Sequence, residues 1–513
     1  MNGRAGTLAG LIEDVAAHQP DAVAVIDDAG AVTFTELNKR VRATAQILSG
    51  LLDADVPVAV IGPNERTWIE LYYGVPASGR ALVFLNHRLH AREVLSMIER
   101  SGAGIVIGDR RELDRLLGEG TDLPLFDWET WSGLIDGIDA PPAPNDIDPQ
   151  TPAWLLFTSG TTAAPKGALL THSSILAAVE ASAGARPVDV EDVYVFPFPL
   201  CHVAGYNVVH RHAHGRPVVL MTGFAAAEFC DIVEREQVRS TSLAATMLAT
   251  LVDLIDAEPH RRAQLQSLQS IAYGAAPMPT PLLRRADALL GVDFAQGYGM
   301  TELSGNAVFL NADAHRRGLA GDDELLEAAG EPAPGVELRL VDDDGNEVAS
   351  GDVGEILVRA PQVMLGYLND REATEAALPD GWLHTGDMGR MVEGWLHVVD
   401  RKKDIIITGG ENVSSLEVEA AVLEHPSVAR VAVVGVPDSK WGENVCAVVV
   451  AAPNCEIDAT ALTASIRKKL AGFKVPRHVV VVDELPVTAS GKVVKAELRQ
   501  WLVANPELVG HRL

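Results

Sequence analysis

Through the first 400 residues, short apolar runs alternate with stretches of helical period. Val56–Ile61, Gly104–Ile107 and Val218–Met221 are the clearest of these runs. Runs this short and this apolar, separated by amphipathic segments, suit strands buried on both faces, and that requires helices on either side of a parallel sheet. The first 400 residues are therefore expected to be α/β. After residue 404 the rhythm changes. Val428–Val436, Val445–Ala451 and Val479–Val482 read as strands, and Ser415–Glu424 and Ala459–Leu470 as helices, the outline of a small α+β unit. Asp139–Pro152 is rich in proline and aspartate and reads as an exposed connection.

The charge divides at the same place. The chain of 513 residues carries 42 Lys+Arg against 70 Asp+Glu, a net charge of −28. Residues 401–513 hold 14 basic and 13 acidic residues, so the first 400 carry −29. Such a balance argues against a nucleic-acid binder, which needs clustered cations for phosphates. Cys201, Cys230, Cys446 and Cys455 are too scattered for a disulfide framework, and a reducing, cytoplasmic compartment is expected. No run approaches the ~18 apolar residues of a membrane span. Peripheral membrane contact and homodimer formation stay open.

Five polar segments carry the chemistry. In Leu155–Gly167 an apolar strand runs into Thr158, Ser159, Gly160, Thr161 and Thr162, then Pro165 and Lys166. Backbone N–H groups and hydroxyls at such a turn can wrap phosphate oxygens, with lysine as a mobile charge. The GxxxxGK[ST] spacing of a Walker loop is missing. In Gln296–Glu302, Tyr298 stands between two glycines and could offer its ring to a flat base. Thr301 can donate to a phosphate, and Glu302 suits a hard cation such as Mg²⁺. Trp382–Asp387 ends in a carboxylate after a glycine turn, fit to accept two ribose hydroxyls. Asp400–Asn412 joins a charged run to an apolar strand and a double glycine at the charge boundary. Pro486–Lys492 puts a lysine on a loop, where one ammonium can neutralise charge forming between a carboxylate and a phosphate. Taken singly, each segment is equally a polar turn.

In this order, the five resemble the adenylate-forming superfamily, specifically the acyl-CoA synthetases that activate fatty and aryl acids. The resemblance runs from Val32–Leu37 to Lys492, with further matches at Asn86–Leu89, Gly274–Pro277, Gly354–Ile356 and Trp441–Glu443. It implies a large N-terminal region of two α/β subdomains plus a distorted β-barrel (residues 1–399), a hinge at 400–403, and a small mobile α+β C-terminal domain (404–513). It implies a reaction in two steps, acyl-AMP formation from Mg·ATP followed by transfer to coenzyme A.

By the same resemblance, Thr158, Ser159, Gly160, Thr161, Thr162 and Lys166 line the phosphates, and Gly274, Ala275, Ala276 and Tyr298 hold adenine. Asp387 and Arg401 hold the ribose, Thr301 acts in adenylation and Glu302 binds Mg²⁺. Lys492 is the adenylation lysine and Lys403 the hinge residue. Gly410 and Trp441 border the pantetheine tunnel, and Arg88, Lys474 and Arg477 are candidates for the coenzyme A phosphates. Two departures stand out. Ala163 replaces a glycine of the phosphate loop, and Ser414–Ser415 replace an aromatic and a proline after Gly409-Gly410-Glu411-Asn412-Val413.

Phe196–Tyr206 resembles the family's substrate-side motif, with His202 gating the carboxylate. No aspartate stands in it to pair with a substrate ammonium, and burying an ammonium without a partner is very unfavourable. Val203, Tyr206, Ala275 and Met300 point to an alkyl or aryl tail. Medium- and long-chain fatty acids are the first expectation and ring-containing acids the second. His202, His210, His212 and His214 are poorly spaced for zinc. Two rivals remain: an acyl-AMP ligase that delivers to a carrier protein, and a binding protein on an impaired enzyme scaffold. The compact 330–389 stretch, with no extra segment, and the retained Thr161, Glu302, Asp387, Arg401 and Lys492 weigh against them.

Overall fold

The computed structural model describes residues 6–142, 146–158, 165–274, 278–408, 411–438, 441–488 and 492–509. The chain forms two compact units. The first comprises Met1–Leu338, Val358–Leu383 and Gly394–Leu396; the second comprises Arg339–Leu357, His384–Glu393 and His397–Leu513.

Two sheets build the first unit among the described residues. One runs in the order Gly366–Tyr367, Lys166–Thr171, Pro152–Thr158, Leu82–Leu85, Val58–Ile61, Ile105–Gly108, Leu125–Asp127. From Pro152–Thr158 onward its neighbours are parallel. The other has nine strands, with Ser240–Ser242, Ser270–Gly274 and Asp293–Met300 parallel neighbours, and Gly305–Leu310 antiparallel to the last. The apolar runs are buried outright, as in Val58–Ile61 and Leu82–Leu85, and helices cover them. The first run begins at Val58 rather than Val56, because Pro57 has no N–H to give a ladder. Helix starts follow local chemistry. Thr33 and Glu36 form a reciprocal capping box at Phe34–Leu51, with Thr33 N donating to Glu36 Oε2 at 2.8 Å and Glu36 N to Thr33 Oγ1 at 3.2 Å.

In the second unit the long hairpin Val428–Asp438 and Gly442–Ala451 is antiparallel, and His478–Val481 adds in parallel. Strand alternation sorts its side chains to two faces. Val431, Val433, Val445, Ala447 and Val449 pack with Val418, Val422, Leu462 and Ile466. Ala432, Val434, Val436, Cys446 and Val448 pack with Leu498 and Leu502. The helix expected over Ala459–Leu470 ends at Ile466, its cap at Arg467, where lysines leave the apolar face. A four-stranded sheet ordered Glu337–Val341, Gly354–Arg359, Leu383–Val392, Trp395–Arg401 completes the strands. The predicted fold class, a large α/β region with a small α+β domain, is what the chain adopts. No helix of the described residues is long and apolar enough to cross a membrane.

Three of the four histidines buried among the described residues of the first unit, His172, His212 and His315, are held neutral by their surroundings. His212 lies between the Tyr73 hydroxyl at Nδ1 (2.8 Å) and Ala24 O at Nε2 (2.9 Å). His315 lies between Tyr273 Oη (2.7 Å) and Asn311 O (2.9 Å), and His172 Nδ1 accepts from Leu8 N at 3.1 Å. Burial pushes each down to about 4. An unfolded histidine takes its proton near ~6.5, so below that pH the unfolded chain binds more protons than the folded one. Stability is therefore complete above ~6.5 and falls as pH drops toward about 4, by up to ~1.4 kcal/mol per pH unit for each histidine. Denaturant midpoints at about pH 7.5 and pH 5 check this; equal midpoints contradict it.

Candidate active site

The first unit gathers its polar residues at the ends of three strands. Pro152–Thr158 and Lys166–Thr171 are antiparallel partners with Thr158 opposite Lys166, so the intervening turn starts and finishes at one edge. Ser159, Gly160, Thr161, Thr162 and Ala163 lie outside the described residues, as do Ala275, Ala276 and Gly410. Lys166 Nζ sits 5.1 Å from the centre of the Tyr367 ring. Tyr367 Oη donates to Glu302 Oε1 at 3.0 Å. An ammonium, a phenol and a carboxylate thus line up, and Tyr367 engages one oxygen of Glu302 while the other can meet a cation. A hard divalent ion with phosphate ligands fits that donor set.

Thr301 and Glu302 begin the short 3₁₀ turn Thr301–Leu303, which joins Asp293–Met300 to Gly305–Leu310. Gln362 Nε2 holds this hairpin by donating to Leu303 O (2.8 Å) and Asn306 O (2.9 Å). The glycines flanking Tyr298 have a packing reason: a Cβ on Gly297 would run into the Asn306 side chain, and one on Gly299 into the backbone of Gly305 and Asn306. Gly274 is the parallel partner of Gly297, and a Cβ there would meet the Gly297 carbonyl. Tyr298 and Met300 are half-buried on this strand.

His202 stands before the 3₁₀ turn Val203–Gly205, which runs into the helix Tyr206–Ala213. Its loop is fastened from a distant segment. Asn64 Nδ2 donates to Phe198 O (2.7 Å) and Met221 O (2.8 Å), and Asn64 Oδ1 accepts from Leu200 N (2.7 Å). Tyr72 Oη also donates to Leu200 O. Asn64→Ala removes three bonds at once and leaves buried backbone groups unpaired, at about 1–3 kcal/mol each before relaxation. The expected result is a loss of about 3 kcal/mol in stability, read by denaturant unfolding. An unchanged unfolding midpoint contradicts it. Arg88 is exposed in the loop after Leu82–Leu85, its backbone N–H bonded to Asn86 Oδ1 at 2.9 Å.

The second unit brings Asp387 and Arg401 together on neighbouring strands of the four-stranded sheet, with Arg401 Nε 3.1 Å from Asp387 Oδ1. The turn between those strands has positive φ at Glu393 (51°) and Gly394 (90°), the conformation of a tight hairpin. Asp387 is buried while half of the Arg401 side chain is exposed. Lys402 reaches Asp343 (2.9 Å) and Glu355 (3.2 Å), and its N–H bonds to Gly386 O at 2.9 Å. Asp404 N donates to Arg401 O at 2.8 Å, closing a turn around Lys402 and Lys403.

Ser414 and Ser415 stitch this turn to the helix Ser415–Leu423. Ser414 Oγ donates to Val399 O (2.7 Å) and caps Glu417 N, and both the N–H and hydroxyl of Ser415 bond Asp400 Oδ2 (2.5 and 2.7 Å). A proline at 415 would lack both donors. Lys474 is engaged by both Glu417 oxygens at 2.7 Å, whereas Arg477 lies over the Trp441 ring at 4.2 Å. Lys492 is exposed on a closed loop: its N–H bonds Thr488 Oγ1 (3.1 Å), and Thr488 N bonds Lys492 O (2.7 Å).

The AMP-binding enzyme family model matches residues 12–368, and the model of that family's C-terminal domain matches residues 417–492. The chain belongs to the AMP-binding enzyme family. Among relatives of this AMP-binding enzyme, a feruloyl-CoA synthase of an Amycolatopsis species is 36% identical, over 94% of this chain and 96% of its own. The fatty acid–[acyl-carrier-protein] ligase ScoC of Streptomyces coeruleorubidus is 34% identical, over 94% of each. Among solved structures, o-succinylbenzoate CoA synthetase (MenE) from Bacillus subtilis with its acyl-adenylate intermediate is 30% identical. It superposes with a TM-score of 0.84 over 95% of this chain and 97% of its own. The same synthetase has been solved with ATP and magnesium ion. The AMP-binding enzyme therefore sits among adenylate-forming acyl- and aryl-acid ligases.

Proposed function

We propose that the protein activates a carboxylic acid with ATP and passes the acyl group to coenzyme A. The observation that carries this reading is the Lys166–Tyr367–Glu302 contact beside the paired strand ends Thr158 and Lys166, which brings a mobile cation and an oriented carboxylate to one phenol. A carboxylate oxygen of the acid attacks the α-phosphorus, the bond to the bridging oxygen breaks, and pyrophosphate leaves. The coenzyme A thiolate then attacks the acyl carbon, and AMP departs with its electron pair. Glu302 would hold magnesium, which would supply charge neutralisation on the phosphates. Thr158, Thr161, Thr162 and Lys166 bind the phosphates, Tyr298 with Gly274–Ala276 the base, and Asp387 with Arg401 the ribose. Residues 400–403 serve as the hinge, with Gly410 and Trp441 at the pantetheine path. Arg477, stacked on Trp441, is the better placed of the two C-terminal candidates for a coenzyme A phosphate, since Lys474 is engaged with Glu417.

The acid has a largely apolar body, bounded by Val203, Tyr206 and Met300. A fatty acid is the first reading. A ring-containing acid is the second, favoured by the feruloyl and succinylbenzoate names among the relatives. AMP release dependent on coenzyme A, measured over straight-chain and aryl acids, tests the proposal. Pyrophosphate release without any thioester would point instead to another acceptor, such as a carrier protein. No release with any acid would overturn it.

A further inference from the structure

Tyr206 lies between the His202 turn and the Met300–Gly305 hairpin, with its ring 3.1–3.2 Å from where a Cβ of Gly305 would stand. Its hydroxyl ends in a cluster of donors. Ser182 Oγ approaches Tyr206 Oη at 3.2 Å, Arg186 Nη2 at 3.0 Å and Asn306 Nδ2 at 3.0 Å. The phenol can accept from Arg186 and Asn306 and donate to the Ser182 hydroxyl, so its own bonds are complete and two nitrogen donors converge on it. The same Arg186 nitrogen reaches Asn207 Oδ1 at 2.8 Å, and the guanidinium lies 5.8 Å from the centre of the Phe309 ring. Arg186 Nε is buried and has no hydrogen-bond partner among the described residues.

Charge is out of balance as well. Arg186 pairs with no carboxylate among the described residues. The carboxylate beside this cluster, Asp192, is paired with Arg211 at 2.8 Å. Burial first, and then the charges of Arg211 and Arg186, push the His210 imidazole toward its neutral form. Arg186 caps the C-terminus of the helix His172–Ala185, where a cation is favoured by about 0.3–1 kcal/mol. That accounts for a cation at this spot, but not for a partly buried fork with an unpartnered Nε beside a residue of the acid pocket. A planar guanidinium with adjacent amide and hydroxyl donors is matched to a carboxylate.

We propose that Arg186, together with Asn306 and Tyr206, receives a second carboxylate on the acid, at the end away from the one that is activated. The inference rests on the proposed acid activation and narrows its substrate class to acids with an apolar body and an anionic far end.

The test compares matched pairs that differ only by the distal carboxylate: hexanoate and hexanedioate, octanoate and octanedioate, benzoate and benzene-1,2-dicarboxylate, 3-phenylpropanoate and 3-(2-carboxyphenyl)propanoate. Pyrophosphate release is measured with the parent, Arg186→Met and Asn306→Leu. In at least one pair the parent is expected to favour the dicarboxylate by tenfold or more in kcat/KM, carried mainly by KM. Arg186→Met should reduce that ratio at least tenfold, and Asn306→Leu in the same direction by less. The parent arm stands even if a variant fails to fold. A parent that prefers the monocarboxylate in every pair overturns the inference and leaves acid activation standing. A preference that Arg186→Met does not alter also overturns it. No release with either set overturns both.

Discussion

Lys492→Ala is expected to slow acyl-AMP formation by ~10²–10³-fold, the usual loss when a charge stabilising a transition state is removed. The lysine stands exposed on a loop tied across its base by the Thr488–Lys492 bonds and the Val487–Val493 bridge. The tie is made by the backbones of Thr488 and Lys492 and the Thr488 hydroxyl, not by the lysine side chain. Alanine therefore preserves the loop. Transfer from supplied acyl-AMP to coenzyme A should survive. Single-turnover assays of each half-reaction decide it, and equal loss in both contradicts the assignment.

Lys403→Pro is expected to do the reverse: acyl-AMP still forms, and thioester formation falls by at least about tenfold, or ~1.4 kcal/mol in the barrier. Lys403 is the third residue of the turn closed by Asp404 N and Arg401 O. Proline is disfavoured there, because it drives the preceding residue out of the helical region. Lys402 would then lose its place between Asp343 and Glu355. A hinge that must adopt two backbone conformations should be confined to one. Enzyme-bound acyl-AMP should accumulate in rapid-quench experiments. Coenzyme A turnover at the parent rate would contradict a hinge role for this residue.

The runs that were readable as strands owe that to burial on both faces, which demands unbroken apolar side chains, as at Val58–Ile61 and Ile105–Gly108. The C-terminal hairpin was readable for the complementary reason, since Val431 and Ala432 serve different helices and both must be apolar. Polar fasteners were hidden. Asn64 acts on Leu200 across 136 positions, and nothing local distinguishes it from a loop asparagine. Tyr367 orients Glu302 from 65 residues away. Nothing in Phe196–Tyr206 points to Arg186, which comes from the preceding helix end and meets Tyr206 only through the fold. Ser414 and Ser415 were visible as departures, but their use required knowing that Asp400 faces them.

The bonds from Val399 and Asp400 to Ser414 and Ser415 bear on how such proteins exchange parts. A C-terminal module cut from this chain at residue 404 would leave behind the carboxylate that caps its first helix. A crossover that joined this chain's Asp400 to a relative's proline at 415 would strand Asp400 without two donors. Inheritance should therefore keep residues 399–415 as one linkage block, and transplants that respect it should express and fold better than those that follow the nominal domain boundary.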